Sequence, residues 1–303
     1  MRVAALCAAV ITVLAAAAPA QAQTGCVWRP TDLPLPADAT SGQMSAASPD
    51  GRYFAGKEED GGLLLWQDRQ LIELAGTEGA SLAHGVNGSG HVISNDSTGA
   101  FVHRDGTKQY LPVPAGRRAS VRDINELGDV LGYLDGGSPA IVWKAANPGT
   151  YELIATANPV AIDDEGRIAF RSGVIRSADG TTVQIAGYPA VQLEKFQGGR
   201  VVGRVDRAFD SLREWSLTGA VVRDYKIMPS SPLGINRDGL LLSAYFKRGV
   251  VGNTYGTWLN GTFVGDLEPE ARVYAVTDTG VVAGFRQWRA EDDFWGPSTW
   301  ACS

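Results

Sequence analysis

Carboxylates, a histidine and an arginine gather at one point of a repeating pattern, and such a group suits general acid–base chemistry. Seven glycines (Gly51, Gly90, Gly128, Gly166, Gly199, Gly239 and Gly280) stand 33 to 41 residues apart. Five residues before them most segments carry a small side chain: Ala46, Gly85, Ala161, Gly234 and Ala275. At the same offset the third segment has Asp123 and the fifth has Glu194, with His84 and Arg122 beside that column. Two carboxylates in unlike surroundings are what an acid and a base require. An Asp123–Arg122 pair, with the fifth segment out of register, explains the same residues without chemistry.

Other chemistries find little footing. His84, His91 and His103 all fall in the second segment, and no Cys/His spacing suits zinc. The run Asp163-Asp164-Glu165 lacks the ligand order of a calcium loop. No Gly-x-Ser-x-Gly elbow, phosphate loop or dinucleotide fingerprint is present. Neither metal nor cofactor is expected.

A second group suits recognition. The stretches between the second and third strands of segments five to seven gather Arg204, Arg207, Phe209, Tyr245, Phe246, Lys247, Arg248, Tyr255, Phe285, Arg286, Trp288, Arg289, Phe294 and Trp295. Aromatic rings beside cations stack on sugar rings and attract acidic groups. Of these, Arg204, Arg207, Tyr245, Lys247, Arg248, Phe285, Arg286, Trp288 and Arg289 are the candidate ligand contacts. Packing of the aromatics beneath their own loops is the competing account.

The elements that must position these residues follow from the repeat. Three residues before the glycine stand Ser48, Asn87, Asn125, Asp163, Asn236 and Thr277, whose short polar side chains bond turn backbone. Segment five has Phe196 there. After the glycine come β-type pairs such as Val92-Ile93, Val130-Leu131 and Val281-Val282. A third strand ends on Trp66, Trp143, Trp215, Trp258 or Trp300, with His103 and Arg176 in that place in segments two and four. Fourth strands are expected at 70–74, 108–111, 151–154, 182–185 and 263–267. Four short strands every 40 residues or so make one propeller blade. The predicted fold is all-β, a seven-bladed β-propeller. Its last blade lacks a fourth strand, which residues 26–33 would supply. Cys26 would then meet Cys302 in a disulfide that locks the ring.

The run Ile124-Asn125-Glu126-Leu127-Gly128-Asp129-Val130-Leu131-Gly132, with a Trp-ending strand after it, resembles the HAF-type extracellular repeat of exported bacterial proteins. The resemblance spans nearly the whole chain beyond residue 22. It is looser in segments two, four and five. It implies export and a propeller-like array, and it carries no catalytic residues. Export is also expected from the N-terminus. Arg2, an apolar run from Val3 to Ala18, Pro19 and Ala20-Gln21-Ala22 read as a signal peptide over residues 1–22, leaving 23–303 as one domain. Lipidation at Cys26 is the lesser alternative. A net charge of −6 argues against nucleic acid as a partner.

The expected role is an exported, monomeric binding propeller for a glycan or peptide, in the periplasm or beyond, with no membrane span. A glycan-active lyase or hydrolase using Asp123, Glu194 and His84, or a structural envelope protein, are the alternatives.

Overall fold

The computed structural model describes residues 25–186, 191–205, 211–225, 231–247, 249–250, 254–289 and 294–303. The expected leader lies outside these residues. So do Arg207, Phe209, Arg248 and the side chain of Arg289.

The chain forms seven four-stranded antiparallel sheets arranged as a seven-bladed β-propeller. The inner strands are Gly42–Ala47, Gly85–Val86, Ala119–Ile124, Pro159–Ile162, Val191–Gln197, Ser231–Ile235 and Ala271–Val276. Each packs on its neighbour's inner strand, and the last returns to the first, so the ring is closed. The outer strands lie within a residue of the expected positions at each end, for example Gln70–Glu73 and Thr107–Tyr110. No helix of the described residues is long and apolar enough to cross a membrane.

The seventh blade closes as anticipated. Trp28–Asp32 pairs antiparallel to Phe294–Cys302, with Trp28 opposite Cys302 and Asp32 opposite Ser298. Cys26 and Cys302 form a disulfide across Cα atoms 5.4 Å apart.

The repeated residues hold blades to one another, which explains their types. Apolar clusters fill the wedges between blades: Ile93 and Val102 of blade two meet Val121, Ile141 and Trp143 of blade three in one such layer. Four of the third-strand tryptophans reach the connector arriving from the previous blade. Trp66, Trp143 and Trp215 donate to the carbonyls of Pro34, Pro112 and Ala186 at 2.7, 2.7 and 3.0 Å. Trp300 donates to Glu268 Oε1 at 2.9 Å. His103, which stands in the Trp place of blade two, bonds the backbone of Ala75 in the corresponding connector. A buried ring thus finds its hydrogen bond, as it must.

The turn residues act in two directions. Asn125 Oδ1 accepts from the Asp129 amide at 2.8 Å, closing its own turn. Its Nδ2 donates at 2.8 Å to the Asp163 carbonyl of the next blade. Asn87 and Asn236 repeat both contacts. Ser48 closes its turn too, but its hydroxyl donates within that turn, to Asp50 Oδ1, rather than to the next blade.

Six inner strands carry a bulge at a common point, where the register steps over Ser45, Arg122, Val160, Glu194, Leu233 and Tyr274. A bulge re-aims one side chain per strand. It also crowds the neighbouring strand. A methyl group on Gly284 would run into the Arg272 carbonyl oxygen, and one on Gly203 into that of Gln192. Gly284→Ala is therefore expected to cost about 1–3 kcal/mol through forced backbone shifts. Gly99→Ala, which meets nothing within 4 Å, is expected to change little. Urea unfolding of the two variants checks the contrast.

Two expectations need correction. Blade five is in a different register: Gln197 pairs directly with Arg200, leaving a two-residue Gly198-Gly199 turn with φ of 58° and 75°. Two left-handed residues make the tight hairpin favoured by strand twist, so no Asn is needed and Phe196 is free to pack. As a result Lys195, not Glu194, takes the inner position of Asp123, and Glu194 takes that of Arg122. In blade seven, Phe285, Arg286, Trp288 and Arg289 are strand residues rather than loop residues. The strands Val282–Arg289 and Phe294–Cys302 prolong their ladder, with Gln287 opposite Trp295 and Arg289 opposite Phe294.

Candidate functional site

The channel at the centre of the ring is where one side chain from every blade converges. Ser45, His84, Arg122, Val160, Glu194, Leu233 and Tyr274 line a cavity of about 550 Å³. Six of these are the bulge residues, and His84 immediately precedes Gly85 of blade two. The next positions along the inner strands are Ala46, Gly85, Asp123, Ala161, Lys195, Gly234 and Ala275. Five are small, so the two charged side chains have room. Ala161 stands between Asp123 and Lys195, and each charge acts on the other.

The channel wall is therefore mixed in character, with blade four interrupting its charged part. Blades two, three and five contribute His84, Arg122, Asp123, Glu194 and Lys195. Blades four, six and seven contribute Val160, Leu233 and Tyr274. Tyr274 is 40% exposed and stacks on Phe285 with centroids 5.8 Å apart. An aromatic face thus stands in the same cavity as the charged group.

Burial governs the titration of that group. Asp123 retains some surface towards the channel, but protein surrounds it, and burial raises its pKa to about 6. Amide donation from Ile162 at 2.8 Å and the charges of Arg122 and Lys195 oppose that shift. Lys195 is lowered to about 8, first by burial and then by Arg122, against the pull of Asp123 and Glu194. His84 is also lowered, by burial and by Arg122. Glu194 is held by Arg204, so these two candidates from separate sequence arguments are partners.

The sign of the Lys195 shift makes a stability prediction. A lysine with a depressed folded pKa carries its cost in full below about pH 8, where it is charged folded and unfolded. The cost fades as pH rises towards the ordinary value of 10.5. Lys195→Met is expected to stabilise the protein at pH 7 by about 1–2 kcal/mol, discounted for channel water. The gain should vanish above about pH 10.5. Denaturant titrations at pH 7 and pH 10.5 read the difference.

The two ends of the channel differ in charge. The turn end is lined by Glu126, Asp163, Asp164, Glu165 and Asp278, with Arg167 and Arg237. Turn amides occupy several of these carboxylates: Gly88 donates to Glu126 Oε2 at 2.9 Å, and Glu126 to Asp164 Oδ1 at 2.8 Å. Gln197 Nε2 also crosses to the Val276 carbonyl at 3.2 Å, from blade five to blade seven. The loop end opens into a second cavity, of about 570 Å³, which shares Arg122, Val160, Glu194 and Lys195 with the first. It adds Arg171, Arg204, Tyr133 and Asn158. Four cations face one carboxylate there.

The cations differ in what already holds them. Arg122 donates from Nε to the Val160 carbonyl at 3.3 Å, and Arg171 to Gln192 Oε1 at 2.9 Å. Among the described residues, no ion pair reaches Arg122, Arg171 or Lys195. On the rim of blades five to seven the cations have carboxylates. Arg286 makes a two-point contact with Asp32, both bonds at 2.9 Å, and lies 3.7 Å from Glu268. Lys247 lies 2.6 Å from Asp266, which also accepts from the Tyr245 hydroxyl. Trp288 donates to Ser298 Oγ at 3.2 Å and stacks on Phe294 at 5.5 Å. Phe285 is buried between Tyr274 and Trp295.

Arg171, Lys195 and Tyr274 were missed by the sequence argument. Lys195 sits beside Glu194, and recognising Gly198-Gly199 as a two-residue turn would have placed it. Tyr274 precedes the small column residue Ala275 as Arg122 precedes Asp123, and that offset was readable. Nothing in the sequence marks Arg171.

No family model matches the sequence, nor does any curated protein. Solved structures do match. The Swd1 β-propeller domain of Myceliophteria thermophila superposes with a TM-score of 0.62 at 12% identity, covering 91% of this chain and all of that one. The oligogalacturonate lyase of Vibrio parahaemolyticus also gives 0.62, at 10% identity, covering 91% and 96%. A computationally designed protein, Ika8, gives 0.53 at 14% identity, covering 90% and 98%. These are likenesses of fold. Identities this low carry the propeller architecture over and leave the site to be argued from this chain's own residues.

Proposed function

We propose that this is an exported binding propeller that takes the acidic end of a saccharide into the loop end of its channel. Arg122, Arg171 and Lys195 receive its carboxylate, with Arg204 beside them, and Tyr274 offers a ring face. The observation that carries this reading is that Arg122, Arg171 and Lys195, beside one cavity, have no ion-pair partner among the described residues. A cation left without a carboxylate next to space of ligand size is poised for one from outside. The rim of blades five to seven lies on the same face. Of the rim residues singled out in the sequence, Tyr245, Lys247, Arg286 and Trp288 form the described outer part of that surface, over which a longer ligand passes.

The leader-like N-terminus and the disulfide support export. The Asn-x-x-Gly turns and Trp-ending strands support assignment to the HAF-type extracellular repeat. One domain over 23–303 is the corresponding organisation.

A catalytic reading has an observation of its own. Asp123 and Lys195 lie on one wall with pKa values moved towards neutrality, as acid–base groups require. The lyase among the fold neighbours acts on an acidic saccharide by its name, which makes lyase chemistry the first activity to assay.

The test is an array of uronate-bearing and neutral oligosaccharides, with acidic peptides alongside, probed with the protein and with Arg122→Gln. Binding restricted to uronates, weakened by salt and lost in the variant, is the expected result. Equal binding of neutral sugars, preference for peptides, or retention in Arg122→Gln would sink the assignment.

A further inference from the structure

Lys195 is the one cation of the channel that can also act as a nucleophile. We propose that it forms a reversible imine with a ligand carrying a carbonyl group directly beside a carboxylate, such as the open-chain 2-oxo acid end of an acidic saccharide. This rests on the channel reading above and specifies which end of the saccharide enters.

An amine that attacks a carbonyl must be unpaired, within reach of a cavity and easily freed of its proton. The chain has six lysines. Lys108, Lys144 and Lys247 are tied to Asp96, Asp129 and Asp266. Lys226 lies outside the described residues, and Lys57 lines neither cavity. Lys195 lines both cavities and has no ion pair among the described residues. Burial and Arg122 disfavour its charge, so much of it is a neutral amine near pH 8.

The neighbouring groups complete the chemistry. Arg122 and Arg171 hold the ligand carboxylate, which places the adjacent carbonyl carbon beside Lys195 Nζ. Asp123, beyond Ala161 from Lys195, receives the ammonium proton through channel water. The neutral nitrogen adds to the carbonyl carbon, and one of its protons passes to the carbonyl oxygen, which becomes a hydroxyl. The nitrogen lone pair then forms the C=N bond as the hydroxyl leaves, protonated by Asp123, as water. One amine and one carbonyl give one imine and one water, and no electrons are gained or lost. Arg122 and Glu194 also act on the charge of Lys195 without entering the step, and Arg204 and His84 line the cavities beside it.

The test uses glyoxylate, an aldehyde with a carboxylate, together with cyanoborohydride, which reduces any imine to a stable carboxymethyl amine. Peptide mass spectrometry follows each lysine of the whole protein. Lys195 is expected to be labelled at least about tenfold faster than Lys57 at pH 7.5. Its rate should level off through about pH 8, where an ordinary lysine keeps accelerating towards pH 10. Acetaldehyde, which lacks the carboxylate, should lose the preference, as should glyoxylate with Arg122→Gln. Labelling of Lys195 no faster than of Lys57, or equal preference with acetaldehyde, overturns the proposal. Calorimetry with a methyl glycoside of a uronate, which cannot form an imine, reports the channel site separately. Retained calorimetric binding without trapping removes the imine alone, and loss of both removes the site.

Discussion

Replacing Cys302 by serine is expected to lower stability by about 4–5 kcal/mol, the largest single effect in the molecule. The two cysteines are 276 residues apart, so the bond closes nearly the whole described chain, and loop-closure entropy grows with length. The physical situation makes the loss specific. The last blade is completed by a five-residue strand from the other end of the chain. Without the disulfide that strand has no covalent neighbour in its own blade. It keeps its ladder to 294–302, the Trp28 bond to Thr257 Oγ1 at 3.1 Å, and the Asp32 clamp by Arg286 and Ser298 Oγ. Detachment of 26–33 would open the ring between blades seven and one. Denaturant unfolding measures the loss, and hydrogen exchange at 27–33 should rise before exchange elsewhere. Reduction of the unmodified protein should reproduce both effects. A loss below about 1 kcal/mol, within the range of an ordinary surface change, would mean that pairing and packing alone hold the closure.

Arg122→Gln and Arg171→Gln are each expected to weaken acidic saccharide binding by about tenfold to a hundredfold. That is the equivalent of roughly 1.5–3 kcal/mol for a charge-assisted hydrogen bond. Arg286→Gln is expected to leave that affinity within about twofold and to cost stability instead. Its guanidinium is spent on Asp32, at the end of the closing strand that leads into blade one, where a two-point contact is geometrically demanding. Calorimetry and unfolding on the same three variants separate the outcomes. Should Arg286→Gln lose affinity while Arg122→Gln keeps it, the ligand would lie on the rim of blades five to seven. Raising salt should weaken binding to the unmodified protein, since carboxylate and guanidinium meet near water.

The architecture was legible because it rests on local chemistry repeated seven times. A left-handed glycine, a polar residue three before it and β-type residues after it define a hairpin wherever they occur. Seven copies that cannot bury their faces alone must stack. A missing fourth strand at one end and a spare strand at the other implied the closure, and Cys26 and Cys302 stood where it had to occur. The same logic failed in blade five, because Gly198-Gly199 satisfies a turn in two residues where its neighbours use five. That slip moved Lys195 out of view and Glu194 into the wrong column.

The site depended on distance across the ring, which no local pattern encodes. Arg122, Asp123, Glu194 and Lys195 are separated by some 70 residues and two blades, and only closure brings them to one cavity. Bulges in the inner strands then turn Arg122, Glu194 and Tyr274 towards the axis. Which cations are already neutralised was likewise invisible in sequence. Asp32 reaches Arg286 from 254 residues away, and Glu268 lies on a connector. Composition marked the rim of blades five to seven as cationic and aromatic. Tertiary contacts decided that Arg204, Lys247 and Arg286 are paired, and that Arg122, Arg171 and Lys195 at the channel have no ion pair among the described residues.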